Sequence, residues 1–217
     1  MRLYLSQLTL NPASPMVQSE FENPYEMHRT IMRGFPCKRD AANVLYRLES
    51  NPHSGSVTLL VQSTVEPQWE PLTEVGQGQY LFSPPAWKAV DLDLQQKQTL
   101  RFRLVANPSV KKDGKRHALY DEEAQRRWLE TKGTGCVEKK RPSHGFEVLD
   151  MDIQKGNNQQ GNIHRDENEK HTVTIYRVQF DGILQVTEPA TFLAAIQAGI
   201  GSGKAFGFGL LSVAPAG

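Results

Sequence analysis

Apolar residues recur along the chain in short runs that alternate between the period of a strand and that of a helix. In residues 2–10, Leu3, Leu5, Leu8 and Leu10 fall on both sides of an extended segment, the pattern of a strand with two covered faces. Asn11-Pro12-Ala13-Ser14-Pro15 breaks it. Asn23-Pro24 then opens a helix, because asparagine can accept bonds from the first free amides and proline suits the first helical position. Gly34-Phe35-Pro36 stops that helix. Residues 44–49 and 57–63 read as a strand pair around a turn at 51–55, and a short helix follows near 67–74. The proline- and aromatic-rich stretch 80–89 reads as a loop.

The second half opens on the clearest strand: Leu100, Phe102, Leu104 and Ala106 alternate with Arg101, Arg103 and Val105. Residues 121–131 read as a helix, with acidic residues in the first turn and Arg126 and Arg127 later, as the helix dipole prefers. A strand is expected over 146–153. The polar stretch 154–170, rich in glycine and asparagine, reads as a mobile loop or the tip of a long hairpin. Residues 173–180 and 183–186 suggest a hairpin about Asp181-Gly182. A helix over 189–198, a glycine-rich stretch and a strand over 210–213 close the chain. This order approximates two copies of a split βαβ unit. It predicts an α+β protein of two tandem ferredoxin-like (RRM-like) domains with antiparallel sheets, residues 1–94 and 95–217.

Composition changes this picture little. The 217 residues suit one large domain or two small ones, and 38% hydrophobic against 23% charged residues gives enough apolar material for a core. No run of 18 apolar residues occurs, and Met1-Arg2-Leu3-Tyr4-Leu5-Ser6 lacks the order of a signal peptide. A cytoplasmic protein without a membrane span is expected. Cys37 and Cys136 alone exclude a disulfide scaffold and a four-cysteine zinc site.

Charge changes it more. The total is +1, yet residues 101–141 hold 12 of the 25 basic residues and 6 of the 24 acidic ones. That stretch is +6 and the remainder −5. Such asymmetry fits either a solvated surface or a face directed at a polyanion.

Two motifs carry candidate chemistry. Gly199, Gly201, Gly203, Gly207 and Gly209 form a loop that follows a helix and opens a strand, the wrong context for a dinucleotide fingerprint. Walker A fails too: three residues separate Gly199 from Gly203, and Ala205 stands where Ser or Thr would bind magnesium. What remains is a tight helix-to-strand connection, or a backbone able to approach another chain or a phosphate closely. The second motif is Tyr25-x-x-His28-Arg29, whose spacing lets all three side chains share one helix face. Histidine transfers protons near neutrality, a tyrosine hydroxyl orients, and arginine holds phosphate; together they supply phosphodiester transfer without a metal. His53, His117, His144, His164 and His171 are scattered without ligand spacing, so neither a metal nor a cofactor is expected.

Three segments together resemble the CasE-type CRISPR RNA endoribonucleases, the repeat-cleaving subunits of type I-E Cascade. The first is Tyr4-Leu5-Ser6 with Leu8-Thr9-Leu10-Asn11-Pro12, followed by Asn23-Pro24-Tyr25-Glu26-Met27-His28-Arg29. The second is Leu100-Arg101-Phe102-Arg103-Leu104-Val105-Ala106-Asn107-Pro108 with Lys111, Lys112, Lys115 and Arg116 behind it. The third is Phe180-Asp181-Gly182-Ile183-Leu184 and the stretch from Gly199 through Lys204 to Pro215.

The resemblance implies metal-independent cleavage of pre-crRNA at the 3′ base of a repeat stem-loop, leaving a 5′-hydroxyl and a 2′,3′-cyclic phosphate. It places His28 at the catalytic histidine and Tyr25 at the assisting tyrosine, with His28 acting as general acid or general base. It also implies a basic residue near the scissile phosphate, for which Lys155, Arg165 and Lys170 are candidates. The expected partners are the CRISPR repeat RNA and the other Cascade subunits, with Arg29, Arg101, Arg103, Lys111, Lys112, Lys115, Arg116 and Lys204 on the RNA. The alternative is a non-catalytic RNA-binding subunit of the same complex, which would not need Tyr25 and His28 on the helix.

Overall fold

The computed structural model describes residues 2–36, 39–51, 53, 55–73, 79–166 and 169–216, with the side chains of 39–40, 157–166 and 169–174 left aside. The chain forms two compact units. One comprises Met1–Leu92, Gln160–Thr174 and Lys204–Gly207, the other Asp93–Gln159, Ile175–Gly203 and Phe208–Gly217. The glycine-rich stretch is thus divided: its middle four residues group with the first unit and its flanks with the second. No helix among the described residues is long and apolar enough to cross a membrane.

The first unit runs β1 (Arg2–Leu10), α1 (Pro15–Glu22), α2 (Pro24–Met32), α3 (Arg39–Ala42), β2 (Leu45–Ser50), β3 (Val57–Ser63), α4 (Glu70–Thr73) and β4 (Ala86–Asp91). Its sheet has the order β2-β3-β1-β4 with every neighbouring pair antiparallel. Alternation sends Leu8 and Leu10 of β1, Tyr46 of β2 and Leu59 and Val61 of β3 to one face. There they meet Val17 of α1 and Met27 and Ile31 of α2 in a continuous core.

The second unit repeats the plan. Its elements are β5 (Thr99–Ala106), the hairpin β6 (Ser109–Lys112) and β7 (Lys115–Ala118), α5 (Glu122–Thr134), β8 (Phe146–Asp166), β9 (Glu169–Val186), α6 (Pro189–Ala198) and β10 (Leu211–Pro215). A 3-10 turn, Lys204–Phe206, precedes β10. The sheet order β10-β5-β9-β8 is that of the first sheet: fourth strand, first, third, second. Two ferredoxin-like folds therefore stand in tandem. Leu100, Phe102 and Leu104 point inward, Trp128 of α5 stacks on Phe180 at 6.1 Å, and Phe192 of α6 meets Phe146 at 5.4 Å.

Three readings of the sequence are corrected, and one left open is settled. The stretch 80–89 is not all loop, for β4 begins at Ala86. As an edge strand with all but Val90 exposed, β4 carries no alternation to read. Pro15 does not merely break β1; it occupies the first turn of α1. Asp181-Gly182 is not a turn, because β9 runs straight through it. A side chain at 182 would strike the Asp150 carbonyl and lie 2.8 Å from Met151 Cα, so this glycine permits close strand approach. Of the two readings of 154–170, a loop or the tip of a long hairpin, the hairpin is the one found: β8 continues to Asp166 and β9 starts at Glu169, side by side in the sheet.

α2 is also held by a buried carboxylate. Glu20 of α1 is 3% exposed and accepts from the Thr30 hydroxyl of α2 at 2.5 Å and from the Tyr80 hydroxyl at 2.6 Å. Burial raises its pKa above the ordinary 4.5, outweighing the two hydrogen bonds that lower it, and the Glu26 charge adds to the rise. The folded state then keeps a proton at pH values where the unfolded chain has lost it. This contribution is full below about 4.5 and is lost as pH rises through the raised value. Glu20→Gln keeps the shape and cannot ionise. Its stability relative to wild type is expected to improve steadily from pH 4 towards neutrality in urea unfolding, and parallel curves would refute the assignment.

Candidate active site

α2 begins at Pro24, with Asn23 at its N-cap. The Asn23 side chain makes no capping bond, contrary to the expectation from sequence; its backbone carbonyl accepts from Glu26 N at 2.9 Å instead. Met27, His28, Thr30 and Ile31 are buried, which fixes the rotation of the helix. Arg29, one step of about 100° round from His28, is exposed and pairs with Glu26 at 2.9 Å. The structure therefore separates Arg29 from the buried side where His28 lies.

His28 is 6% exposed and sits among aromatic rings. Tyr25, one turn before it, has its ring 6.4 Å away at 49°. Tyr46 lies nearly parallel to the imidazole, 6.2 Å between centroids at 9°. Phe206 of the 3-10 turn meets Tyr25 at 6.0 Å. That turn packs against α2 and β2. Lys204, half-buried, is the first residue of that turn.

Gly207 has φ 81°, in the left-handed region, and a Cβ there would stand 3.0 Å from the Tyr46 ring. Both the backbone angle and the space require glycine at this position. Tyr46 and Phe206 are the neighbours that sequence reasoning missed. Alternation in β2 signals that Tyr46 points inward, but no spacing links position 46 to 28 or 206.

The remaining predicted residues lie in the second unit, apart from Arg165 and Lys170, whose side chains lie outside those described. Lys111, Lys112, Lys115 and Arg116 stand together at the tip of the β6–β7 hairpin, all exposed. Asp113 and Gly114 have φ of 50° and 77°, as a two-residue hairpin turn with both central residues left-handed requires. The register sets Lys111 opposite Arg116 and Lys112 opposite Lys115. Like charges directly opposite destabilise a hairpin, and among the described residues no carboxylate pairs with any of the four.

Arg101 and Arg103 are exposed on β5. The first donates to the Pro215 carbonyl at 3.3 Å, and the second pairs with Asp181 at 2.6 Å. Lys155 lies 3.5 Å from Glu122. The four hairpin cations thus differ from Arg29, Arg103 and Lys155, which already hold carboxylates. Among the described residues, no three of His, Cys, Asp and Glu are grouped to hold a metal ion.

Comparison with known proteins places these features. A family described as "CRISPR associated protein" matches residues 3–215. The CRISPR-associated endoribonuclease Cse3 of Thermus thermophilus is 34% identical over 221 residues, spanning 98% of this chain and 100% of the relative. The CRISPR system Cascade subunit CasE of Escherichia coli is 27% identical over 208 residues, 88% of this chain and 92% of its own. The structure of Thermus thermophilus Cse3 bound to an RNA representing a pre-cleavage complex superposes with a TM-score of 0.77 at 34% identity. It covers 99% of this chain and 100% of that one.

Proposed function

We propose, because this chain belongs to the family of CRISPR-associated endoribonucleases that holds Cse3 and CasE, that it binds the CRISPR repeat stem-loop and cleaves pre-crRNA at the 3′ base of the stem, remaining bound as a Cascade subunit. The observation that carries this reading is the placement of Tyr25 and His28 one turn apart on α2, backed by Tyr46 and the 3-10 turn. A helix without a reaction to perform would have no need of a histidine and two tyrosines packed together at its buried side. The work divides between residues 1–94, which carry the catalytic helix, and residues 95–217, which carry the basic hairpin. Its place is the cytoplasm, with the transcript it processes.

The reaction needs only groups that the chain and the RNA supply. The 2′-oxygen upstream of the cut attacks phosphorus and forms the O2′–P bond. The P–O5′ bond breaks. One proton leaves the 2′-hydroxyl and one arrives on the departing 5′-oxygen, giving the cyclic phosphate and the 5′-hydroxyl. His28 moves one of these protons. Tyr25, half-exposed beside it, orients the phosphate or the attacking hydroxyl. DNA is not cut by this route because it lacks the nucleophile. Purified protein is expected to cut repeat RNA in EDTA, and a 2′-deoxy substitution at the nucleotide before the cut is expected to abolish cleavage. An absolute requirement for magnesium would overturn the mechanism.

A further inference from the structure

We infer that Tyr46 is a positioning residue for His28: its ring sets the plane of the imidazole, and its hydroxyl ties the start of the catalytic helix to the glycine-rich turn. The inference rests on the reading of His28 given above.

Tyr46 is 1% exposed and stands on β2, which is paired along its length with β3. Its backbone is therefore held in the sheet, and its ring in the core. α2, in contrast, has only nine residues, too few to hold its own geometry without tertiary contacts. A histidine on such a helix has a broad χ2 and needs a neighbour to choose its orientation. The Tyr46 ring lies within 9° of parallel to the imidazole, an arrangement that selects one plane.

The hydroxyl adds a second link. It donates to the Pro24 carbonyl, at 2.7 Å, and shares the proton with the Ala205 carbonyl, at 3.1 Å. Pro24 is the first residue of the helix that carries Tyr25 and His28. Ala205 lies between Lys204 and Phe206, the residue that meets Tyr25. One side chain thus contacts the imidazole, the helix start and the turn. Space at Gly207 is fitted to the same ring, 3.0 Å from the position of a Cβ. Phenylalanine would fill this part of the core equally well; only tyrosine also binds both carbonyls.

The test measures single-turnover cleavage and binding of repeat RNA for Tyr46→Phe and Tyr46→Leu, with His28→Ala and Leu72→Ala alongside. Leu72 belongs to the same core but sits on α4. Tyr46→Leu, which keeps an apolar filling and loses the flat ring, is expected to cut about tenfold or more slowly with affinity within about twofold of wild type. Tyr46→Phe keeps the ring and is expected to recover most of the rate, falling only a few-fold short through the lost hydroxyl. Leu72→Ala, destabilised in urea, is expected to cut at the wild-type rate wherever it is folded.

Equal rate loss in Tyr46→Leu and Leu72→Ala at matched stability would reduce Tyr46 to core packing and overturn the inference. A wild-type rate for Tyr46→Phe would overturn the hydroxyl tie. Should Tyr46→Leu fail to fold, Tyr46→Met takes its place, under the same criteria. His28→Ala separates the two levels. If it cuts at the wild-type rate, the reading of His28 fails first. If it is inactive while Tyr46→Leu cuts normally, the positioning fails and the reading stands.

Discussion

His28→Ala is expected to slow single-turnover cleavage of the repeat RNA by ~10²–10⁴-fold while leaving RNA affinity nearly unchanged. The rate falls because a positioned proton donor or acceptor is replaced by bulk water. The affinity holds because phosphate contacts dominate RNA binding and a side chain only 6% exposed supplies little of that attraction. The fold should tolerate the change better than at most buried sites. His28 lies beside the Tyr25 and Tyr46 rings, whereas Met27 and Ile31 anchor α2 to the core and Thr30 to Glu20. Rates and gel-shift affinities on one preparation decide the matter. A variant that cuts at near the wild-type rate would remove His28 from the chemistry, and a variant that no longer binds would make it a contact residue.

Much of this architecture is legible in the sequence wherever burial is one-sided or complete. β5 announces itself because Phe102 and Leu104 are buried while Arg101 and Arg103 are not. α6 and α5 are read from their apolar spacing and from Asp121, whose side chain does accept from Ala124 N as an N-cap should. The pattern fails where burial is absent, as in β4, and where a strand outruns its apolar half, as in β8 beyond Ile153.

The two Asp-Gly pairs mark the limit of local reasoning. Asp113-Gly114 makes the turn and Asp181-Gly182 lies within a strand. At 182 the glycine answers to the backbone of a neighbouring strand, which no short-range signal reveals. The site divides in the same way. Tyr25 and His28 are one helical turn apart and are found from spacing. Tyr46 and Phe206 join the site only through the folded core, Tyr46 reaching Ala205 across 159 residues of sequence and Phe206 meeting Tyr25 from still further along the chain.

Replacing Lys111, Lys112, Lys115 and Arg116 together by threonine is expected to weaken RNA binding and, unusually for a quadruple substitution, to leave the fold as stable or slightly more so. Stability should hold because the substitutions remove the two like-charge pairs that the register sets opposite, Lys111 against Arg116 and Lys112 against Lys115, and threonine suits a strand. Binding should fall because each phosphate contact contributes somewhat under one unit to the slope of log affinity against log salt. Losing four contacts therefore flattens that slope by roughly three units, so the deficit against wild type shrinks by roughly 60-fold between ~50 and ~200 mM salt. Cleavage of RNA already bound at saturation should proceed at the wild-type rate, since Tyr25, His28 and Tyr46 are untouched. Salt titrations of affinity, paired with urea unfolding, test both signs at once. An unchanged slope would make the hairpin a solvated surface. A loss of stability would mean that the four cations have partners within the fold after all.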